Sequence, residues 1–242
     1  MVRLLAAART NRDRADVWVL AKLRDCKSGW PMSDELAKAV TRVIYPALRS
    51  EGFLRHRKRD LVRVVNGVSH GLYFQVSGWG GREFCVTAFA NLVAGWKTPV
   101  LAPGLRLSRD TDGGNLWLPS STADEAELSA HVVLSSIKAE ALPFFERLTD
   151  PAAFSAELAL QPRPDHHNRF QRGIAEALCG NEEAAHRHLT DAIELYEAAG
   201  LDWCAEYIAK ARRLIVALDG GTAKDLLETW YQANRKAHGV GA

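Results

Sequence analysis

A chain of 242 residues, 47% hydrophobic and 25% charged, has the composition of a folded globular protein and the length for one large domain or two small ones. A formal net charge of +2 argues against a dedicated nucleic-acid or membrane-surface binder, since both gain affinity from a clear basic excess. The same balance of apolar and charged residues excludes wholesale disorder.

Residues 1–31 lean basic, and their apolar positions (Val17, Trp18, Val19, Leu20, Leu23) crowd together without a clean stripe. They read either as an extension before the domain or as an extra N-terminal helix. The domain proper is expected from Met32, because Ser33-Asp34-Glu35 is a helix start, with a capping hydroxyl and two acids near the positive end of the dipole. From Ser33 to Glu51, Leu36, Val40, Val43, Ile44, Ala47 and Leu48 form a one-sided stripe at helical period. Pro46 should bend or interrupt its last turns, and Gly52 with Phe53 should end it.

The period then changes. Asp60–Val65 and Val68–Ser77 predict two strands, joined by the hairpin turn Asn66-Gly67. A turn at Gly78-Trp79-Gly80-Gly81 leads to a third strand over Glu83–Leu92. Leu72, Phe74 and Val76 alternate with Tyr73, Gln75 and Ser77. Phe84, Val86, Ala88 and Ala90 likewise alternate with Cys85, Thr87, Phe89 and Asn91. One side of the sheet should therefore be greasy and the other semi-polar. Leu105–Arg109 and Leu116–Leu118 predict a fourth and a fifth strand around turn chemistry at Asp110–Asn115.

Helices follow. Ser121/Asp124 and Thr122/Glu125 offer overlapping capping boxes for a helix to about Ala141, with Pro143 starting a further segment to Leu148. Asp150-Pro151 is an N-cap followed by proline, so residues 151–160 should be helical. Residues 161–166, with Pro162 and Pro164, read as a linker. Four helical patterns at about 167–179, 182–199, 202–218 and 222–237 then predict an antiparallel hairpin array, leaving 238–242 as a flexible tail. The expected fold class is α+β: an antiparallel meander of four or five strands packed on helices, residues 32–160, followed by a helical module over 167–237.

Tyr45-Pro46-Ala-Leu-Arg-Ser-Glu-Gly52-Phe53, the strand that carries Gln75, and Leu142-Pro143-Phe144-Phe145-Glu146 together resemble an uncharacterised bacterial family, domain of unknown function 4304. The resemblance covers about residues 33–158 and implies an α+β fold without implying an activity. Ala175–Ala192, with its Gly180-Asn181 turn and its small residues Ala184 and Ala192, is similar to a tetratricopeptide-type helical pair. A single such pair is too few repeats to stand alone, so it should pack on the α+β domain.

The semi-polar side of the sheet, with Tyr73, Gln75, Thr87, Phe89 and Arg63, is the candidate ligand surface; alternatively, the C-terminal helices cover it. Arg55, Arg57, Lys58 and Arg59, with Arg63 beyond, form the densest basic cluster, and read either as a phosphate or RNA contact or as a solvated loop that blunts a sheet edge. His186 and His188, two apart on a helix, face different ways, and with His166 and His167 they match no metal-ligand spacing. His70 reads as structural. Cys26, Cys85, Cys179 and Cys204 form no CxxC and read as reduced thiols. Met1–Arg9 has too short an apolar run for a secretory leader, and no stretch approaches the roughly 18–20 apolar residues of a membrane span, so the expected place is the cytoplasm.

No nucleophile elbow, phosphate loop or dinucleotide fingerprint occurs, so no catalytic residue, metal or cofactor is assigned. The first expectation is a non-enzymatic, protein-binding accessory module with a protein partner; a homodimer stays open. The second is an enzyme of unrecognised type using the semi-polar sheet face. Nucleic-acid binding through Arg55–Arg63 comes third.

Overall fold

A computed structural model describes residues 34–78, 83–95, 103–107, 117–162 and 164–236. The expectations for residues 1–31, for the turn at Asp110–Asn115, for most of the turn at Gly78–Gly81 and for the tail 238–242 lie outside the described residues. From Glu35 onward the contacts form one compact unit, to which everything below refers.

The first described helix, α1, runs through Asp34–Ala39, a wide π-helical turn at Val40–Ile44, and Tyr45–Arg49. Tyr45 N–H donates to the carbonyl of Val40, five residues back, immediately before Pro46. Proline brings no donor, and its ring crowds the carbonyl four residues back. The wide turn lets Pro46 open a fresh α-segment instead of breaking the rod. Gly52, at φ 82°, ends the helix: its N–H bonds Arg49 O while Phe53 N–H reaches Leu48 O. Both bonds satisfy carbonyls that the helix end would leave bare.

The second long helix, α2, repeats the device. It comprises Ala123–Ser136, a π-turn at Ile137–Ala141 and Leu142–Glu146, with Leu142 N–H on Ile137 O just before Pro143. Of the two possible capping boxes, Thr122 with Glu125 is the one formed.

Among the described residues six strands lie in one antiparallel sheet: β1 Leu54–Arg55, β2 Leu61–Val65, β3 Val68–Val76, β4 Glu83–Leu92, β5 Gly104–Arg106 and β6 Leu118–Pro119. The order is β1-β2-β3-β4-β5, with β6 pairing the start of β4. Asn66 (φ 45°) and Gly67 (φ 84°) make the two-residue turn with both central residues left-handed, so Val65 pairs Val68. Register then assigns the faces. Leu61, Leu72, Phe74, Phe84, Val86, Ala88 and Ala90 share one side and are buried with Ile44 and Leu48 of α1 and Val133, Ile137 and Phe145 of α2. Each of the buried leucine, isoleucine, valine and phenylalanine side chains contributes about 2 kcal/mol through area removed from water.

Past α3 (Pro151–Ala159, capped by Asp150) come α4 (His166–Leu178), α5 (Glu182–Ala199), α6 (Cys204–Asp219) and α7 (Ala223–Arg235). In α4, Gly173 faces Leu189 of α5 so closely that a Cβ there would stand 2.6 Å from Leu189 Cγ. Between the helices His167 lies parallel to Trp203, with ring centroids 5.4 Å apart, meets Tyr207 edge-on, and bonds Tyr196 Oη through Nδ1 at 2.8 Å. Burial holds its pKa down to about 4, with His166 adding to the effect and Asp165 opposing it. This array shares the hydrophobic core of the sheet and its helices. Its attachment includes Asn234 Nδ2 donating to Val93 O at 2.8 Å, just beyond β4.

Candidate functional site

The second side of the sheet is polar, as the alternation predicts. Ser69, Gly71, Tyr73 and Gln75 of β3 lie beside Asn91, Phe89, Thr87 and Cys85 of β4, and Thr87 in turn pairs Arg106 of β5. Tyr73, Gln75, Phe89 and Arg106 are half-buried, while Ser69, Cys85, Thr87 and Asn91 are buried. Phe89 folds across β3 above Gly71, where any Cβ would collide with its ring. A glycine is required there by close approach, not by backbone angle.

Arg106 organises the centre of this face. Its Nη1 donates to Gln75 Oε1 at 3.2 Å and contacts Cys85 Sγ at 2.6 Å. Burial pushes the Cys85 thiol above its ordinary pKa, and the guanidinium works against that push. The Cys85 thiol in turn donates to Gln75 O at 3.8 Å. Thr87 Oγ1 is buried and has no hydrogen-bond partner among the described residues. Toward β2, Asp60 accepts from the Phe74 N–H; burial raises its pKa, while that bond and Arg57, Arg59 and His56 pull it back. Arg59 sits close enough to Asp60 and Tyr73 for both to favour its charge against burial.

Of the expected ligand residues, Tyr73, Gln75, Thr87 and Phe89 share this face. Arg63 does not. The two-residue hairpin pairs Arg63 with His70, which places both on the opposite, helix-covered side. There Arg63 Nε donates to His70 Nδ1 at 3.1 Å and Nη1 to Glu51 O at 2.9 Å, with the guanidinium 4.9 Å from the Phe53 ring centroid. His70 is fully buried, stacks on Phe145 at 4.6 Å, and meets Leu148 O through Nε2 at 2.8 Å. Since Nδ1 accepts from arginine, the proton sits on Nε2 and is donated to that carbonyl. Burial holds the His70 pKa down to about 4, with Arg63 acting the same way and the Leu148 bond opposing. Together they latch β2 and β3 to the chain just past both π-turned helices.

The basic cluster is likewise divided. Arg55, Arg57 and Lys58 are exposed around the β1–β2 turn, where Arg55 Nη2 caps Lys58 O at 3.1 Å, whereas Arg59 and Arg63 are turned inward. The histidines considered as metal ligands fall in three places: His166 and His167 share the aromatic cluster, His186 lies 3.9 Å from Asp219, and His188 lies beside Arg169 at 3.3 Å. No group of three or more His, Cys, Asp or Glu positioned for a metal ion occurs among the described residues. Nor, among them, is any helix long and apolar enough to cross a membrane.

Arg106 and Cys85 were not singled out as site residues. The signal for Arg106 was present, because Leu105 and Leu107 alternate around it and so turn it to the polar side. Comparison of the chain with family profiles, with curated proteins and with solved structures returns no match.

Proposed function

We propose that this chain is a non-enzymatic, protein-binding accessory module. What carries the reading is a pair of large apolar side chains that the fold leaves in water one helical turn apart. Leu128 is 70% and Val132 is 41% exposed on α2. The neighbouring Glu127 is bound to Arg42 of α1 at 2.6 Å, so this strip is presented on a helix tied to its partner helix. An i, i+4 apolar pair on an ordered helix is what a groove on another protein receives. Further support comes from Val216, 70% exposed on α6, and from the hairpin array, whose close-packed α4–α5 pair gives a stiff platform.

The experiment is capture of partners from the native cell by the tagged full chain, compared with Leu128→Ser/Val132→Ser and with Val216→Ser. A protein retained by the parent chain and lost with the α2 double variant supports the reading. Identical captures by all three chains, or no specific capture at all, would overturn it.

A further inference from the structure

We propose that the polar side of the sheet is also a binding site for the oxyanion group of a small ligand, a carboxylate or a phosphate, held by Arg106 together with Thr87 and Gln75. This goes beyond partner binding by the helices and does not depend on it.

Two independent demands meet at this place. The first is charge. The Arg106 guanidinium is half-buried, and its hydrogen bonds among the described residues, to Gln75 Oε1 and Cys85 Sγ, both use the single atom Nη1. Gln75 is neutral, and burial keeps the thiol on the protonated side. Among the described residues no carboxylate is ion-paired with Arg106. A guanidinium withdrawn from water asks for a counter-charge, and its planar fork of donors matches two oxygens of one oxyanion.

The second demand is a hydrogen bond. Thr87 is only 7% exposed, and among the described residues its Oγ1 has no partner. It stands directly opposite Arg106 in the β4–β5 ladder and directly opposite Tyr73 in the β3–β4 ladder. Buried hydroxyls in folded proteins are nearly always satisfied. An oxyanion seated against Arg106 accepts a hydrogen bond from the Thr87 hydroxyl and supplies the missing charge at the same place. Gln75 fixes the guanidinium through Oε1 and keeps its amide N–H groups for the same guest. The half-buried rings of Tyr73 and Phe89 on this side provide apolar walls for the rest of a small molecule.

The test uses the full chain, with inorganic phosphate, succinate and chloride as probes at matched ionic strength. The melting temperature is read for the parent, Arg106→Gln and Thr87→Val. Thr87→Val keeps the side-chain shape and removes only a hydroxyl without a partner among the described residues, so it should fold at least as well as the parent. Phosphate, succinate or both should raise the parent's melting temperature saturably beyond chloride. Which of them does so tells a phosphoryl source from a carboxylate source. The apparent Kd should weaken about tenfold or more in Arg106→Gln and about threefold to tenfold in Thr87→Val. Responses no larger than that to chloride, or variants that respond as the parent does, would overturn the site. Should Arg106→Gln not fold, the Thr87→Val comparison alone decides.

Discussion

Protonation of His70 should undo the latch between the sheet and the two long helices, and the cost follows from its surroundings. The ring is fully buried, donates through Nε2 to Leu148 O, and accepts from Arg63 at Nδ1. A second proton has nowhere to go except against the arginine. The folded-state pKa is accordingly about 4, against an ordinary value of 6.5. Between these two values the unfolded chain binds more protons than the folded one, so stability is intact above pH 6.5 and falls as the pH drops toward 4. Over the whole window the loss is roughly 3 kcal/mol, and at pH 5 it is about 2 kcal/mol. The assay is urea denaturation from pH 7.5 to 5.0, comparing the parent with His70→Gln. Glutamine can accept from Arg63 and donate toward Leu148 but does not titrate. It sacrifices the ring stack at every pH, while His167 and the other titrating groups act equally in both chains. The stability difference between parent and variant should therefore shrink by about 2 kcal/mol on going to pH 5. A difference constant to within about 0.5 kcal/mol across that range would refute the buried, neutral, doubly bonded histidine.

Gly173→Ala should cost about 1–3 kcal/mol in the same assay, because the new methyl enters Leu189; trimming Leu189 to Ala in the same chain should cost less than the sum of the two single changes. Removing the α2 cap with Thr122→Ala should lose about 1 kcal/mol, and amide exchange at Glu125 should rise more than at residues in the middle of the helix. Asn234→Ala should cost about 1–3 kcal/mol by orphaning Val93 O, and it should lower a single shared melting transition, since the array and the sheet share one core; two separate transitions would contradict that.

Local chemistry made much of the fold readable in the sequence. Asn66-Gly67, Thr122 with Glu125, Asp150-Pro151 and Gly52 each act within a few residues, so a turn or cap stands wherever its residues stand. The alternation from Leu61 to Leu92 carried the two-sided sheet for the same reason. Strand β1 was not legible, because Leu54-Arg55 is a two-residue edge paired only to Leu61 and Val62, followed by a charged loop that hides any period. Arg63 was set on the wrong side although the hairpin held the answer: a two-residue turn that pairs 65 with 68 also pairs 63 with 70. Half of the polar site was visible in Tyr73, Gln75, Thr87 and Phe89. The alternation of Leu105 and Leu107 turns Arg106 to that side, but its meeting with Gln75 and Cys85 depends on β5 lying alongside β4, a pairing without local signature.

The wide turns ahead of Pro46 and Pro143 have a consequence for spacing. Fully buried residues in α1 recur at Leu36, Val40, Ile44 and Leu48, and in α2 at Val133, Ile137, Ala141 and Phe145. Steps of four overshoot a regular α-helix by about 40° each, so three steps would carry the stripe about 120° around the rod. A π-turn winds more slowly and takes back part of that drift, keeping all four side chains aimed at the sheet. A run of apolar residues every fourth position, ending one or two residues from a proline, is thus a written record of the slackened coil. Shortening either run by one residue would leave the proline with no loosened turn to occupy and swing everything beyond it off the core.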